Sequence, residues 1–276
     1  MAARQSRRQP IIHSISENFN SNRVHPPMQA GDYIRISSFA GLCPREEVLR
    51  SNLGVSRDDE VEPDLNLIFA HGSGLHYTLQ NNVLPVLKVL FGRWTCLECA
   101  TSYGGSAADL TPDTKLDDII VARPYKCPKC ESHEFLYREL SYVSTQYHLT
   151  GHPDGFLRLP QYEGTGILEA KSISTRGAYE VKNCPKMEHV IQAQLYLWMT
   201  GLTWAQILYW DKGTNGMSGL IEHHVERDDE LLENALNTVT AIWDGIASKE
   251  LPERVCQNAE CPRAEKCSVK KQCFSL

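Results

Sequence analysis

Three polar side chains have the types and spacing for hydrolytic chemistry: Asp154 in "GHPDG", and Glu169 and Lys171 in "ILEAKSI". Glu169 and Lys171 stand two apart in an otherwise apolar run, and buried strands rarely hold opposite charges without a purpose. Side chains alternate along a strand, so Ile167, Glu169 and Lys171 share one face while Leu168 and Ala170 share the other, core-directed one. GHPDG, residues 151–155, reads as a turn that places Asp154 beside the strand carrying Glu169. Two carboxylates converging at a sheet edge form an oxygen-rich site for a hard cation such as Mg²⁺ or Mn²⁺. Such a cation polarises a phosphoryl oxygen and supplies a bound hydroxide. A lysine beside it can hold the attacking water or balance charge on the phosphate. Short D…E-x-K patterns also arise by chance, and a structural Glu–Lys pair at a strand edge is the competing reading.

The cysteines give a second chemical signal; there are ten. Cys96 with Cys99, and Cys127 with Cys130 in "YKCPKC", form two C-x-x-C pairs. Four thiolates so paired fit a closed tetrahedral structural zinc site, with free or redox thiols as the alternative. The tail "CQNAECPRAEKCSVKKQCF" adds Cys256, Cys261, Cys267 and Cys273, and "GLCPREEVLR" adds Cys43. No apolar stretch follows the basic N-terminus, so no secretory signal is read, and the spacings point to metal rather than disulfides. Cys184 stands alone and reads as a small thiol.

The elements that must position these groups follow from periodicity. A helix is expected through FAGLCPREEVLRSNLG, capped by Ser37 or Ser38 and closed by Gly54. A longer helical segment is expected from about Leu65 to Leu90, broken near Pro85. Strands are expected at SYVSTQYHLT, FLRL and GILEAKSI, then a helix at HVIQAQLYLWMTG, strands at AQILYWD and GLIEHHVER, and a helix over 228–249. In that last helix Leu232, Leu236, Val239, Trp243 and Ile246 recur at helical spacing. The order gives an α/β core with a mixed sheet. The expected units are a flexible basic arm (1–30), a helical part (31–93), a zinc-ribbon-like insertion (94–138), a core (139–250) and a Cys-rich end (251–276). A mitochondrial presequence is the alternative for the arm, since Arg4, Arg7 and Arg8 precede any acid.

Composition sets outer limits. The chain has 276 residues, 42% hydrophobic and 22% charged, with a net charge of −6. That balance is ordinary for a globular protein and excludes coating nucleic acid by bulk charge, but not holding it locally. No apolar run approaches bilayer length, so no membrane partner is expected and a cytoplasmic location is.

Two more motifs frame the carboxylates. "HGSGLHYTLQ" supplies Gly72 and His76, and "QAQLY" supplies Gln192 and Tyr196, four apart on one helix face. In order with GHPDG and LEAKS, they resemble the PD-(D/E)XK nuclease superfamily. Within it the likeness is to the RecB-like exonucleases, including the CRISPR-associated and AddB-type iron–sulfur enzymes. The resemblance spans roughly residues 35–275, interrupted by the Cys-rich island. It implies a restriction-endonuclease-like fold and a Mg²⁺- or Mn²⁺-dependent DNA exonuclease acting in recombination, repair or processing, on single strands or duplex ends. Possible protein partners would belong to a recombination or processing complex. It implies His76, Asp154 and Glu169 as metal ligands, Lys171 as the residue positioning water, and Gln192 and Tyr196 as supports of the lysine or contacts to DNA. His71 and His152 compete with His76, which alone fits the family spacing.

The resemblance also implies a 4Fe–4S cluster, with one early cysteine and three at the C-terminus. Cys43, Cys256, Cys261 and Cys267 are the favoured four, because "CPRAEKC" matches the family's closing pair, and Cys273 is the alternative ligand. The spacing departs from the family's, with a longer first gap, and a second zinc site made by the tail cysteines is the competing assignment. A sequence-specific endonuclease on the same fold, or a non-catalytic DNA-binding or assembly module, are the alternative functions.

Overall fold

The computed structural model describes residues 10–19, 21–105, 110–214 and 216–275. Its main helices are α1 (Pro10–Asn18), α2 (Pro44–Leu53), α3 (Pro63–Thr78), α4 (Met187–Thr200) and α5 (Asp229–Ser248). Its central strands are β1 (Leu90–Cys96), β2 (Gly155–Leu157), β3 (Gly166–Ile173), β4 (Trp204–Asp211) and β5 (Leu220–Glu226). The strands line up in the order β5–β4–β3–β2–β1. β3 and β4 are parallel, and the other neighbours are antiparallel. This is the expected mixed α/β fold, with helices flanking the sheet and a four-cysteine module inserted.

Both faces of β3 are covered. Ile167 joins Leu195, Ile207, Tyr209 and Val239 in the larger core, under α4 and α5. Leu168 and Ala170 join Leu90, Trp94 and Trp204 in a second core on the opposite face. Burial on both sides explains why β3 reads as a continuous apolar run. α4 lies between sheet and α5 and buries nearly every residue from Gln192 to Thr200. Its polar Gln194 is satisfied at both ends: Nε2 donates to the Glu226 carbonyl at 2.8 Å, and Oε1 accepts from Asp228 N at 2.8 Å. α4 ends at Gly201, where φ is 69°, and Asp228 caps α5 by accepting from Leu231 N at 3.0 Å.

Several elements depart from their expected limits. The Cys43 helix starts only at Pro44, which suits a first helical position, and Gly54 closes it at φ 65°. Ser37 and Ser38 lie instead inside a separate short helix, Ile36–Phe39. The segment expected as one helix to Leu90 is α3, then a wide π turn (Leu79–Val83), then Leu84–Leu87. β1 then begins at Leu90: its first residues pair with β2, and Arg93–Cys96 pairs with Phe135–Arg138 of the cysteine module. One strand thus belongs to both the sheet and the insertion, across the border read at residue 94. SYVSTQYHLT is a hairpin (Tyr142–Ser144 with Leu149–Gly151) rather than a single strand, turning at His148, where φ is 50°.

The basic residues Arg4, Arg7 and Arg8 lie outside the described residues. Beyond them the segment expected as a flexible arm forms α1 and a strand, Ser21–His25, paired antiparallel with Arg57–Val61. The reason lies in α2, where Arg50 is 3% exposed. Its guanidinium donates to Glu47 at 2.9 Å, and its Nη2 donates to the carbonyls of His25 and Pro26. A buried charge must find such partners, and these tie the segment down.

Candidate active site and cysteine centres

The antiparallel register pairs Gly155 with Leu168, so Asp154, one residue earlier, comes level with Glu169. Asp154 Oδ2 accepts from Ala170 N at 2.7 Å, and Oδ1 lies 3.1 Å from His76 Nδ1 on α3. The bond to Asp154 raises the His76 pKa, against the effect of burial. Gly72, one turn before His76, faces β3, where a Cβ would lie 3.0 Å from Ser172 Oγ. A small residue at that point therefore lets α3 lie close to the strand.

Glu169 is 2% exposed. One oxygen, Oε1, lies 2.5 Å from Lys171 Nζ, and the other, Oε2, is buried with no hydrogen-bond partner. Burial, with Asp154 adding to it, pushes the carboxyl up to about 8, and Lys171 opposes the shift. For Lys171 burial works the other way, but the two carboxylates outweigh it and raise its pKa. Lys171 Nζ also donates to Gln192 Oε1 at 3.0 Å, and Gln192 Nε2 donates to the Tyr196 hydroxyl at 3.4 Å. Tyr196 in turn needs Gly151, where a Cβ would lie 2.6 Å from its ring.

His76, Asp154, Glu169, Lys171, Gln192 and Tyr196 all line one cavity of about 540 Å³, with His152 exposed at its edge. His71 is exposed and lines none of it. The sequence reading missed Glu139. Donor atoms of His76, Glu139 and Asp154 all lie within 4.8 Å of one another. Gln80 holds Glu139 there: its Nε2 donates to Glu139 Oε1 at 2.8 Å and to the Asp154 carbonyl at 2.8 Å. Desolvation and the nearby Asp154 raise the Glu139 pKa. Glu139 sits just after Phe135–Arg138, at a strand end that no motif marks. Arg35, from the strand Ile34–Arg35 parallel to Leu149–Gly151, adds a cation to the wall.

In the inserted module the sulfurs of Cys96, Cys99, Cys127 and Cys130 gather within 4.8 Å. Cys96 lies 3.5 Å from Cys130 and Cys99 3.6 Å from Cys127. Tetrahedral zinc–thiolate bonds of about 2.3 Å set sulfurs about 3.8 Å apart, so the spacing fits one zinc ion. The two knuckles match: Ala100 N donates to the Cys96 carbonyl at 3.0 Å and Glu131 N to the Cys127 carbonyl at 2.8 Å. Both residues are left-handed, at φ 56° and 64°. The Tyr103 hydroxyl, 3.0 Å from Cys127 Sγ, lowers that thiol to about 6.

The tail folds back on α2. Arg45 Nη1 donates to the Pro252 carbonyl at 2.8 Å, Arg263 Nη1 to the Leu42 carbonyl at 3.1 Å, and Ser268 Oγ to Glu46 at 3.1 Å. Cys43, Cys256, Cys267 and Cys273 line one small cavity there. Cys261 does not line it: its Sγ caps the short helix Pro262–Glu265, accepting from Ala264 N at 3.3 Å. Cys273, held as the alternative ligand, lines the cavity, while the Cys261 thiol lies against that of Cys256, itself a lining residue. These sulfurs do not form a group within 4.8 Å among the described residues. Cys184 is exposed.

No family model and no curated protein matches the chain. Among solved structures, an alkaline exonuclease (LHK-Exo) from Laribacter hongkongensis is 22% identical at a TM-score of 0.33, over 40% of this chain. The chain spans 59% of that protein's length. SSO0001 is 13% identical at a TM-score of 0.39, covering 90% of this chain and 88% of that one. Rai1 of Scheffersomyces stipitis, solved with (3'-NADP)+ and a calcium ion, is 9% identical at a TM-score of 0.25, covering 81% and 62%. All these TM-scores lie below 0.5, and the site rests on its own geometry.

Proposed function

We propose that the chain is a divalent-metal-dependent deoxyribonuclease that hydrolyses phosphodiester bonds, working as an exonuclease in DNA recombination, repair or processing. The observation that carries this is the buried, unpartnered Glu169 Oε2 in a cavity it shares with Asp154 and His76. Ionising a buried carboxyl whose oxygen has no donor is costly, which is what raises its pKa, and a bound cation is the partner that relieves that cost. His76, Asp154 and Glu139, whose donor atoms lie together, with Glu169 facing the same cavity, would hold Mg²⁺ or Mn²⁺. A cation so held polarises a phosphoryl oxygen and lowers the pKa of a water.

The chain's own residues do the positioning. Lys171 is pinned between Glu169 and Gln192, so its ammonium keeps a fixed place beside the carboxylates. There it orients the attacking water and offsets the charge growing on the phosphate. Tyr196 fixes the far end of Gln192. Arg35 supplies a positive wall for a phosphate.

The zinc ion is structural in this reading, because four thiolates close its coordination. The tail thiols would hold a 4Fe–4S cluster rather than zinc, because among the described residues no three of them draw as close together as one zinc ion's ligands. Such a cluster would join α2 to the C-terminus, where Arg45, Arg263 and Ser268 already make the junction.

The deciding experiment is degradation of DNA with Mg²⁺ or Mn²⁺, with and without EDTA, for the native chain, Asp154→Ala and Lys171→Ala. Activity that EDTA and both substitutions abolish, in folded protein, is expected. Full activity in either variant overturns the assignment. End-labelled linear against closed circular DNA separates exonuclease from endonuclease.

A further inference from the structure

Residues 64–73 of α3 are all exposed except Asn66 and Gly72. Yet residues 65–70 read LNLIFA, and Leu65, Leu67, Ile68 and Phe69 are exposed by 40–49%. Gly72 is where α3 meets β3, at Ser172, so the half of the helix before it stands clear of the central sheet. Tyr77 continues the stripe that Phe69 and Ser73 begin, and is itself exposed. α1 adds Ile11 and Ile12, both exposed, and Ile12 lines one groove with Leu67. A helix that is apolar on every side ordinarily lies inside a protein, so this one is built to be covered.

Area, charge and symmetry together select what covers it. The exposed parts of these seven side chains amount to roughly 700 Å² of apolar surface. That exceeds the largest patch of an ordinary monomer and falls in the range of the ~800 Å² that one partner gives to a stable interface. Neither α1 nor residues 62–87 contain a Lys or Arg, and their acids are Glu17, Glu62 and Asp64. The core of a protein–protein interface is depleted of charge in this way, whereas a phosphate backbone or an anionic membrane calls for cations. A charge-poor apolar patch is complementary to itself, and two-fold pairs of identical chains are the commonest assemblies. A two-fold axis crossing α3 sets two such helices antiparallel. The acidic first turn of one copy, with Glu62 and Asp64, then lies toward a stretch of the other, residues 65–87, that holds no acid, so no like charges meet.

We infer that α3, flanked by α1, is the interface of a symmetric dimer, packed against α3 of a second copy of this chain. This does not depend on the hydrolytic reading above.

The test is sedimentation equilibrium of the full chain in reductant over a range of concentrations. The native chain is expected at twice its own mass. Leu65→Glu and Ile68→Glu should each raise the dimer dissociation constant by at least about 30-fold, because the two-fold axis counts every substitution twice. Both side chains already face solvent, so the far-ultraviolet circular dichroism of each variant should match that of the native chain. Met217→Glu, at an exposed apolar residue on the turn before β5, should leave the dimer unchanged. A native chain that stays monomeric at about 100 µM overturns the inference, whether it then binds lipid vesicles, DNA or another protein through this face. So does a native dimer that Leu65→Glu and Ile68→Glu leave intact, or that Met217→Glu weakens as much as they do.

Discussion

Lys171 on β3 donates to Gln192 on α4 at 3.0 Å, and this bond fixes the ammonium from the side opposite Glu169. A leucine at 192 keeps much of the volume and removes the acceptor. Gln192→Leu should therefore stay folded and lower the single-turnover cleavage rate by about 10²-fold, with KM nearly unchanged, because misplacing a positioned group by an ångström costs that much. Stopped-flow or quench-flow cleavage with Mn²⁺, alongside a melting curve, checks this. An unchanged rate would mean the lysine holds its place without Gln192.

Glu139 enters the site through Gln80, which binds it and the Asp154 carbonyl with the same amide nitrogen. Glu139→Gln should weaken Mn²⁺ binding about 10-fold to 100-fold, and Gln80→Leu should weaken it less, since Gln80 only orients a ligand. Isothermal titration of Mn²⁺ reads both, free of substrate. Native affinity in Glu139→Gln would leave the cation to His76, Asp154 and Glu169 alone.

The cysteine module shares its core with the sheet: Cys96, Cys127 and Phe135 are buried with Trp94, Leu168 and Trp204. Removing zinc should therefore reach beyond the module. Cys127→Ser is expected to lose one zinc per chain by metal analysis and to lower the melting temperature of the whole protein. Ala100→Gly should act oppositely, raising stability by about 0.5–1 kcal/mol, because Ala100 sits at φ 56°. Thermal denaturation of the zinc-loaded protein measures it.

Asp211 organises the turn after β4. Its Oδ1 accepts from Thr175 Oγ1 at 3.0 Å and from Gly213 N at 2.9 Å, and its Oδ2 accepts from Thr214 Oγ1 at 2.5 Å. The Thr214 bond and the Gly213 amide lower its pKa below the ordinary aspartate value. A folded-state pKa below the unfolded one contributes stability above the unfolded pKa and loses it as pH falls through the folded value. Asp211→Asn should thus melt earlier than the native chain at neutral pH. The gap should close on acidification below the ordinary aspartate pKa of about 3.9. A gap independent of pH would show that shape, not charge, holds the turn.

Much of the frame was legible because it is local. The two-residue alternation of ILEAKSI identified β3, the 3.6-residue repeat of Leu232, Val239 and Trp243 identified α5, and Gly54 and Gly201 marked helix ends through their left-handed φ. Paired C-x-x-C spacing pointed to the four sulfurs that the fold gathers. Where an interaction spans the chain, local pattern failed. Arg50 orders a segment that composition alone reads as loose, because its partners are carbonyls 24 and 25 residues away. β1 reads as the end of a helix and the start of a cysteine island until β2 and Phe135–Arg138 pair with it.

By itself, then, the sequence determined which residues have the chemistry: an aspartate in a turn, a glutamate and a lysine on one strand, and two sets of thiols. Only the tertiary structure decided which of them meet. It brought Glu139 to His76 and Asp154, through Gln80, which is 59 residues from Glu139 and 74 from Asp154. It set Cys273 on the tail cavity beside Cys43, Cys256 and Cys267. It left Glu169 with one oxygen bonded and one buried alone. The physical reason is the same each time. Side-chain type and spacing fix what a group can do, but proximity between distant segments comes from sheet register and helix packing, which local sequence does not encode.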